Sequence, residues 1–398
     1  VARTQLLAKI GEGAEPLGGA MTSDDYDNLG SRPVFGRVAA GANRHHGEFY
    51  AAATDALLLR HGVQVAKPHP AAADLRGMSL HAMAETSLSQ SGHRGFGAKS
   101  QAAAIQAALS TSDFPGLLEG VASKAAMIGF QSEAAVTHRP WTRAGQLSDF
   151  KPASRVALSE APGLQEVPEL AEFKAGNFSD AKETIRLSTF GRIVSISRQA
   201  LINDDLGELT RVPQALGLAA ARQESDLVYN LLLSNPTMRD GNPLFDAAHN
   251  NQDSTGAALS VTSLGAARAA MRTQKGLAGE SFLNVAPAFL LVPAALETTA
   301  EQLLAQITPD TPANAVPAFI RNLTIIADPR LDADSEISWY LIADPSVHDT
   351  IEIASLDGGG PQLQQQEAFN TDSLSYRVRA DLGVAVIDWR GLFRNAGA

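Results

Sequence analysis

Residues 137–180 constrain this chain more than any other stretch. They hold few strong apolar positions and many Pro, Gly and Glu, as in DFKPASRVALSEAPGLQEVPELAEF. A segment this long and open, set between well-patterned neighbours, predicts a protruding hairpin or functional loop, not core.

The flanks are ordered. On the N-terminal side, TSDFPGLLEGVASKAAMIGF reads as a helix capped by Ser112, with Pro115 near its first turn. Leu118, Val121, Ala122, Ala125 and Ile128 share one face, and Gly129 ends it. On the C-terminal side, Thr184 to Ser197 alternates apolar and polar residues. It shifts phase after Gly191, which predicts strand–bulge–strand or one long bent strand. ALINDDLGELTRVP follows, where Asn203 or Asp204 can cap a short helix. Pro213 fits the first turn of a new helix of about 21 residues, or ~31 Å.

The last third alternates helix and strand. SLGAARAAMRTQ and AALETTAEQLLAQ predict helices, and SFLNVAPAFLLVP a buried strand with proline at its edge. NLTIIAD, SWYLIAD, TIEIASLDGG, SLSYRVRAD and GVAVIDWRG predict five more strands, divided by Asp-Pro or Gly. Without a strict strand–helix repeat, the class is α+β and not a doubly wound sheet.

Residues 1–111 have another texture. Residues 1–48 are rich in Gly, Asp, Asn and Pro and predict a loop or weakly ordered arm. A helix is predicted from Glu48 to His61, with a stripe of Phe49, Ala53, Ala56, Leu57 and Leu59 and a stop at Gly62. A second starts after Ser79 and ends near Gly92, and a third covers QAAAIQAAL. Short helices on polar linkers predict an arm or spacer.

Charge narrows the partners. The net charge is −11, and residues 1–112 hold ten basic and nine acidic residues against 22 and 34 in the remainder. So acidic a body does not coat nucleic acid through phosphate contacts. With no cysteine there are no disulfides, thiolate nucleophiles or cysteine-held metals. No apolar run reaches the ~20 residues of a membrane span.

Each candidate chemical motif has a plainer reading. Six of nine histidines (His45, His46, His61, His69, His81 and His93) fall together, without metalloprotease spacing. Gly92 and Gly97 have phosphate-loop spacing, but Ala98 intervenes before Lys99 and Ser100. Gly358, Gly359 and Gly360 lead into PQLQQQ and read as loop. Asp332, Asp334 and Glu336 lack the glycine of a calcium loop, with Ile337 in its place, and read as a solvated turn. Asp204 and Asp205 read as helix-capping carboxylates. No Gly-x-Ser-x-Gly elbow occurs. We therefore expect no catalytic, cofactor-binding or metal residues and no enzyme.

Several segments, taken in order, resemble a known family. They are TSDFPGLLEGVASK, STFGRIVSISRQALINDDLG, LAAARQESDLVYNLLLSNPTMRDGNPLF with His249-Asn250, SWYLIADP, TIEIASLDG and VRADLGVAVIDWRGLFRN. Together they are similar to the major capsid protein of tailed bacteriophages and Mu-like prophages, often made as a fusion behind a prohead protease. The resemblance runs from about Ser110 to the C-terminus and implies the Hong Kong 97-type fold. It implies an N-terminal arm or spacer at 1–111, the first helix of the body at 112–140 and an extended E-loop hairpin at 141–197. A peripheral domain with a spine helix would occupy 198–254, an axial domain 255–345, and strands returning to the peripheral domain 346–398.

The implied function is an icosahedral head shell enclosing double-stranded DNA, located in the virion and assembled in the host cytoplasm. The implied partners are further copies in hexamers and pentamers, portal and decoration or cement proteins, packaged DNA and the prohead protease, without a membrane. Val1 would then be a maturation cut. Two alternatives stand beside this reading: an encapsulin-like nanocompartment shell, and a soluble α+β enzyme with an unrecognised site.

Overall fold

The computed structural model describes residues 43–90, 107–108, 113–132, 136–158, 180–197, 206–277, 279, 281–305, 318–357, 359–368 and 373–398. The chain divides into two compact units, Val1–Leu117 and Leu118–Ala398. The arm at 1–42, most of QAAAIQAAL, the Gly92–Gly97 loop and the Asn203–Asp205 cap lie outside the described residues.

In the first unit, α1 (Asn43–Arg60) buries four of the five residues of the predicted stripe: Phe49, Ala53, Ala56 and Leu57 are at most 1% exposed, while Leu59 is half-buried and Leu58 takes its place in the core. It starts five residues earlier than expected. The stretch KPHPAAADL that follows ends in the single turn α2 (Ala72–Leu75). There Ala71 N–H donates to His69 Nδ1, and His69 N–H donates to Asp55. Helix α3 (Leu80–Gln90) begins after Ser79 as expected, and the Ser79 hydroxyl accepts from Ala82 N–H at 3.2 Å. Helix α4 (Asp113–Phe130) runs on into the second unit.

Among the described residues, the second unit holds two five-stranded sheets and a two-stranded ribbon. The strands are β1 (Arg143–Leu147), β2 (Ala153–Leu158), β3 (Asp180–Ile185), β4 (Ser188–Ser197), β5 (Gln252–Asp253), β6 (Pro287–Val292), β7 (Thr324–Ala327), β8 (Trp339–Ala343), β9 (Ile351–Leu356), β10 (Gln362–Ala368), β11 (Ser373–Val386) and β12 (Leu392–Asn395). The helices are α5 (Leu206–Leu233), α6 (Val261–Arg272), α7 (Glu297–Ala305), α8 (Ala318–Arg321) and α9 (Pro329–Asp332). The α+β class is as expected.

The first sheet is organised by β11. Its residues 373–382 pair with β4 on one edge. β10 pairs with its residues 373–379 and β9 with 382–386, with β1 parallel beyond β9. The second sheet has the order β5-β12-β8-β6-β7. All five residues of β8 are buried, as an uninterrupted apolar run demands. They alternate between two cores. Tyr340 and Ile342 join Trp141, Tyr229, Phe245 and Ile351, while Trp339, Leu341 and Ala343 join Leu264, Met271 and Val292.

The structure corrects three expectations and adds one strand. Pro213 lies inside one continuous 28-residue helix, α5, and does not open a new one. The strand break falls at Arg186-Leu187, and β4 passes Gly191 without slipping register. Gly191 is there for space, since a Cβ would lie 2.9 Å from the Val378 carbonyl oxygen. SLSYRVRAD and GVAVIDWRG form one strand, because Gly383 makes room for the Arg186 backbone instead of turning the chain. PQLQQQ supplies β10, an alternation carried by glutamines that apolar patterning does not register.

Glycine also brings α4 against α5. A Cβ on Gly217 would run into the Ala126 backbone, and one on Gly129 into the Gln214 backbone. The two helices cross main chain against main chain.

Candidate assembly surface

The β2–β3 ribbon pairs with no other strand among the described residues. It occupies less of the chain than 141–197: Trp141 is fully buried in the core and β4 belongs to the first sheet. Residues 159–179, between its strands, lie outside the described residues.

Its root is held on three sides. Ile185 and Leu187 are buried with Leu147, Ala354, Ala385 and Ile387. On β2, Arg155 Nε donates to both Glu352 carboxylate oxygens at 2.9 Å, and its Nη2 donates at 2.5 Å. Glu352 is 5% exposed, and Gly145 leaves the slot that its carboxylate fills. On β3, Glu183 accepts from Arg239 N–H at 3.0 Å, and the Arg239 guanidinium donates to the Lys182 carbonyl. Bidentate arginine–carboxylate geometry fixes direction as well as distance.

The family-like motif DGNPLF with His249-Asn250 builds a knot around the buried His249 ring after α5. Asn250 takes a left-handed φ of 50°. The His249 ring stacks on Trp389 with centroids 4.1 Å apart, and its nitrogens meet Asp240 Oδ2 (2.6 Å) and the Leu244 carbonyl (3.1 Å). Burial pushes the Asp240 carboxyl up, but bonds from His249 and Asn242 hold it below its ordinary value. Gln274 closes the knot by donating to the His249 carbonyl.

Two further networks escaped sequence reasoning, because their members are scattered along the chain. His138 is fully buried between Ser225 Oγ (2.8 Å) and Glu224 Oε1 (3.2 Å), and Arg139 reaches Glu224 Oε2 at 3.3 Å. Burial raises the Glu224 carboxyl, and His138 and Arg139 outweigh it to leave a net lowering. Serine, histidine and glutamate together suggest nucleophilic chemistry. Here, however, Ser225 and His138 are both 0% exposed, so no substrate reaches the hydroxyl in this conformation. In the second network Tyr229 donates to Thr137, which donates to Asp328, and Arg330 joins Asp328 to Asp226.

Asp332, expected in a solvated turn, accepts from Ala294 N–H (2.7 Å) and Ala295 N–H (3.0 Å). No group of three or more His, Asp or Glu among the described residues could hold a metal ion. No described helix is long and apolar enough to cross a membrane.

What remains is a surface: a ribbon clamped at its root and two sheet edges, on β4 and β10, without a strand partner among the described residues. Unpaired strand edges are places where an extended segment of another chain can add. The family model described as "Phage capsid protein" matches residues 181–395. The chain belongs to that family, and the Hong Kong 97-type fold is the fold it carries.

No curated protein matches the sequence. Among solved structures, the chain is similar to the capsid of Ralstonia phage GP4, with 13% identity, 65% of this chain and 87% of that chain covered, and a TM-score of 0.45. It is similar to the capsid of Myoviridae phage XM1 at 14% identity, with 65% and 90% covered and a TM-score of 0.42. A virus-like particle from Pyrococcus furiosus matches at 13% identity, with 69% and 97% covered and a TM-score of 0.41.

Proposed function

We propose that this structural protein is the major capsid subunit of a tailed phage or prophage. It assembles through hexamers and pentamers into an icosahedral head around double-stranded DNA. The family match over residues 181–395 carries this reading. The ribbon with residues 159–179 would be the E-loop, α5 the spine helix, and residues 255–345 the axial domain. Assembly would take place in the host cytoplasm, with portal, decoration proteins and a prohead protease as partners.

Such a shell needs no reactive site. Each subunit contributes modest contacts to several neighbours, and closed symmetry multiplies them. The clamped ribbon suits the role, because preorganisation lowers the ordering cost of each contact.

Sedimentation and electron microscopy of the purified chain test this. Closed megadalton particles are expected, and a chain that stays monomeric or dimeric at all concentrations refutes it. Deleting residues 160–180 should leave a soluble subunit that forms no shells, and normal shells from that deletion would refute the role given to the ribbon.

A further inference from the structure

Between α5 and the first sheet lies a cavity of about 270 Å³, lined by residues of the second unit alone. Phe130, Ile353 and Leu382 give it apolar walls. Arg139, Ala144, Gly359 and Gly360 also line it, and all four reach solvent; the Arg139 side chain is 36% exposed. Alanine and glycine carry too little to close that side. The glycine run that reads as a loop in the sequence thus borders an open cavity.

Its charged groups are only partly used. A guanidinium has five N–H donors. Arg139 donates through Nη2, to the Phe130 carbonyl at 3.4 Å and to Glu224 Oε2 at 3.3 Å, and its Nε and Nη1 have no hydrogen-bond partner among the described residues. Glu224, with a side chain 10% exposed, takes one bond on each carboxylate oxygen, from His138 Nε2 at 3.2 Å and from Arg139. A carboxylate has about four acceptor positions, so about half remain open. Burial raises the Glu224 carboxyl, and His138 and Arg139 outweigh it, so the group is ionised at neutral pH and only accepts.

This pairing sets the charge of whatever enters. An anion drawn to Arg139 also meets Glu224, and a cation drawn to Glu224 also meets Arg139, so each is disfavoured. A neutral group with an acceptor and a donor side by side satisfies both. A planar carboxamide has that arrangement. The apolar walls favour a ring on the amide, and a volume below the ~300 Å³ where ligand pockets usually begin limits it to one ring.

We infer that this cavity is a binding site for a small, neutral aromatic carboxamide, its carbonyl oxygen accepting from Arg139 and its N–H donating to Glu224. The site lies within one subunit, so the inference stands or falls apart from the shell reading.

Saturation-transfer NMR on the full-length chain tests it, with benzamide, benzoate and benzylamine as probes and circular dichroism as a folding check. Benzamide should give a saturable signal. Benzoate, which lacks the donor, and benzylamine, which lacks the acceptor, should bind about tenfold more weakly or less. Arg139→Met should weaken benzamide by a similar factor. Ala144→Phe fills the mouth from an exposed position and should abolish binding with the wild-type spectrum retained. If Arg139→Met fails to fold, the three probes and Ala144→Phe still decide. No saturable benzamide signal from the folded wild-type chain overturns the inference. Equal affinity for the three probes does so too, as does undiminished benzamide binding by Ala144→Phe. Particles that form normally without binding benzamide overturn this inference and leave the shell reading intact.

Discussion

Gly217→Ala and Gly265→Ala are the same substitution in the middle of two helices, and they should change stability in opposite directions. In α6, Gly265 has nothing within 4 Å of the position its Cβ would take. There the methyl group only restricts the unfolded chain and raises helix propensity, a gain of about 0.5–1 kcal/mol. In α5, the Cβ of residue 217 would lie 2.6 Å from the Ala126 carbonyl carbon and 2.9 Å from its Cα. These are backbone atoms of α4 and cannot rotate away. The helices must separate by about 1 Å, and a gap that size already forfeits a quarter to a half of each dispersion contact it opens. Overpacking of this kind costs about 1–3 kcal/mol. With unyielding backbone the upper half applies, and the propensity gain offsets about 1 kcal/mol of it. The net expectation is a loss of about 1–2 kcal/mol for Gly217→Ala. Guanidinium unfolding of assembly-free subunit, followed by circular dichroism, measures both variants. The midpoint of Gly217→Ala should fall and that of Gly265→Ala should rise. Equal midpoints, or the reverse order, would refute the claim that backbone approach dictates Gly217.

Three other predictions concern the polar clasps. Arg155→Ala leaves Glu352 facing a slot without its cation; because Arg155 is itself part-exposed, water softens the loss to about 1–3 kcal/mol, readable as a lower unfolding midpoint. His249→Ala removes the stack on Trp389 and leaves Asp240 and the Leu244 carbonyl without this donor, costing about 2–4 kcal/mol, and should quench or shift Trp389 fluorescence as well as stability. Glu224 has a folded-state pKa below its ordinary 4.5, so its ionised form adds stability above that pH, and the contribution is lost as pH falls through the lowered value. Glu224→Gln should therefore flatten the acid limb of the stability–pH curve, and an unchanged limb would count against the His138–Glu224–Arg139 network.

Regular elements were legible where apolar spacing was strong. The stripe of α1, the Ser79 cap and the SWYLIAD strand all sit where the pattern placed them. The difficult positions were those where a residue had two meanings. Gly191 and Gly383 read as punctuation, but both are interior strand positions where another backbone passes close. Pro213 read as a helix start because that is its commonest tolerated place, yet α5 continues through it. β10 was hidden because its alternation is written in glutamine. The networks around His138 and Asp328 join residues as much as 191 positions apart, a separation that local patterning does not cover. The ribbon was visible in outline as an apolar-poor stretch. Its clasps were not, since Glu352 and Arg239 lie in distant segments.

Strand β8 has a consequence in time. It is bonded along both edges and buried on both faces, with alternate side chains in separate cores. Its amides can meet solvent only when both cores open together, so local fraying gives no access. The exchange rate of these five amides is therefore a clock for the whole second unit, and both cores keep the same time.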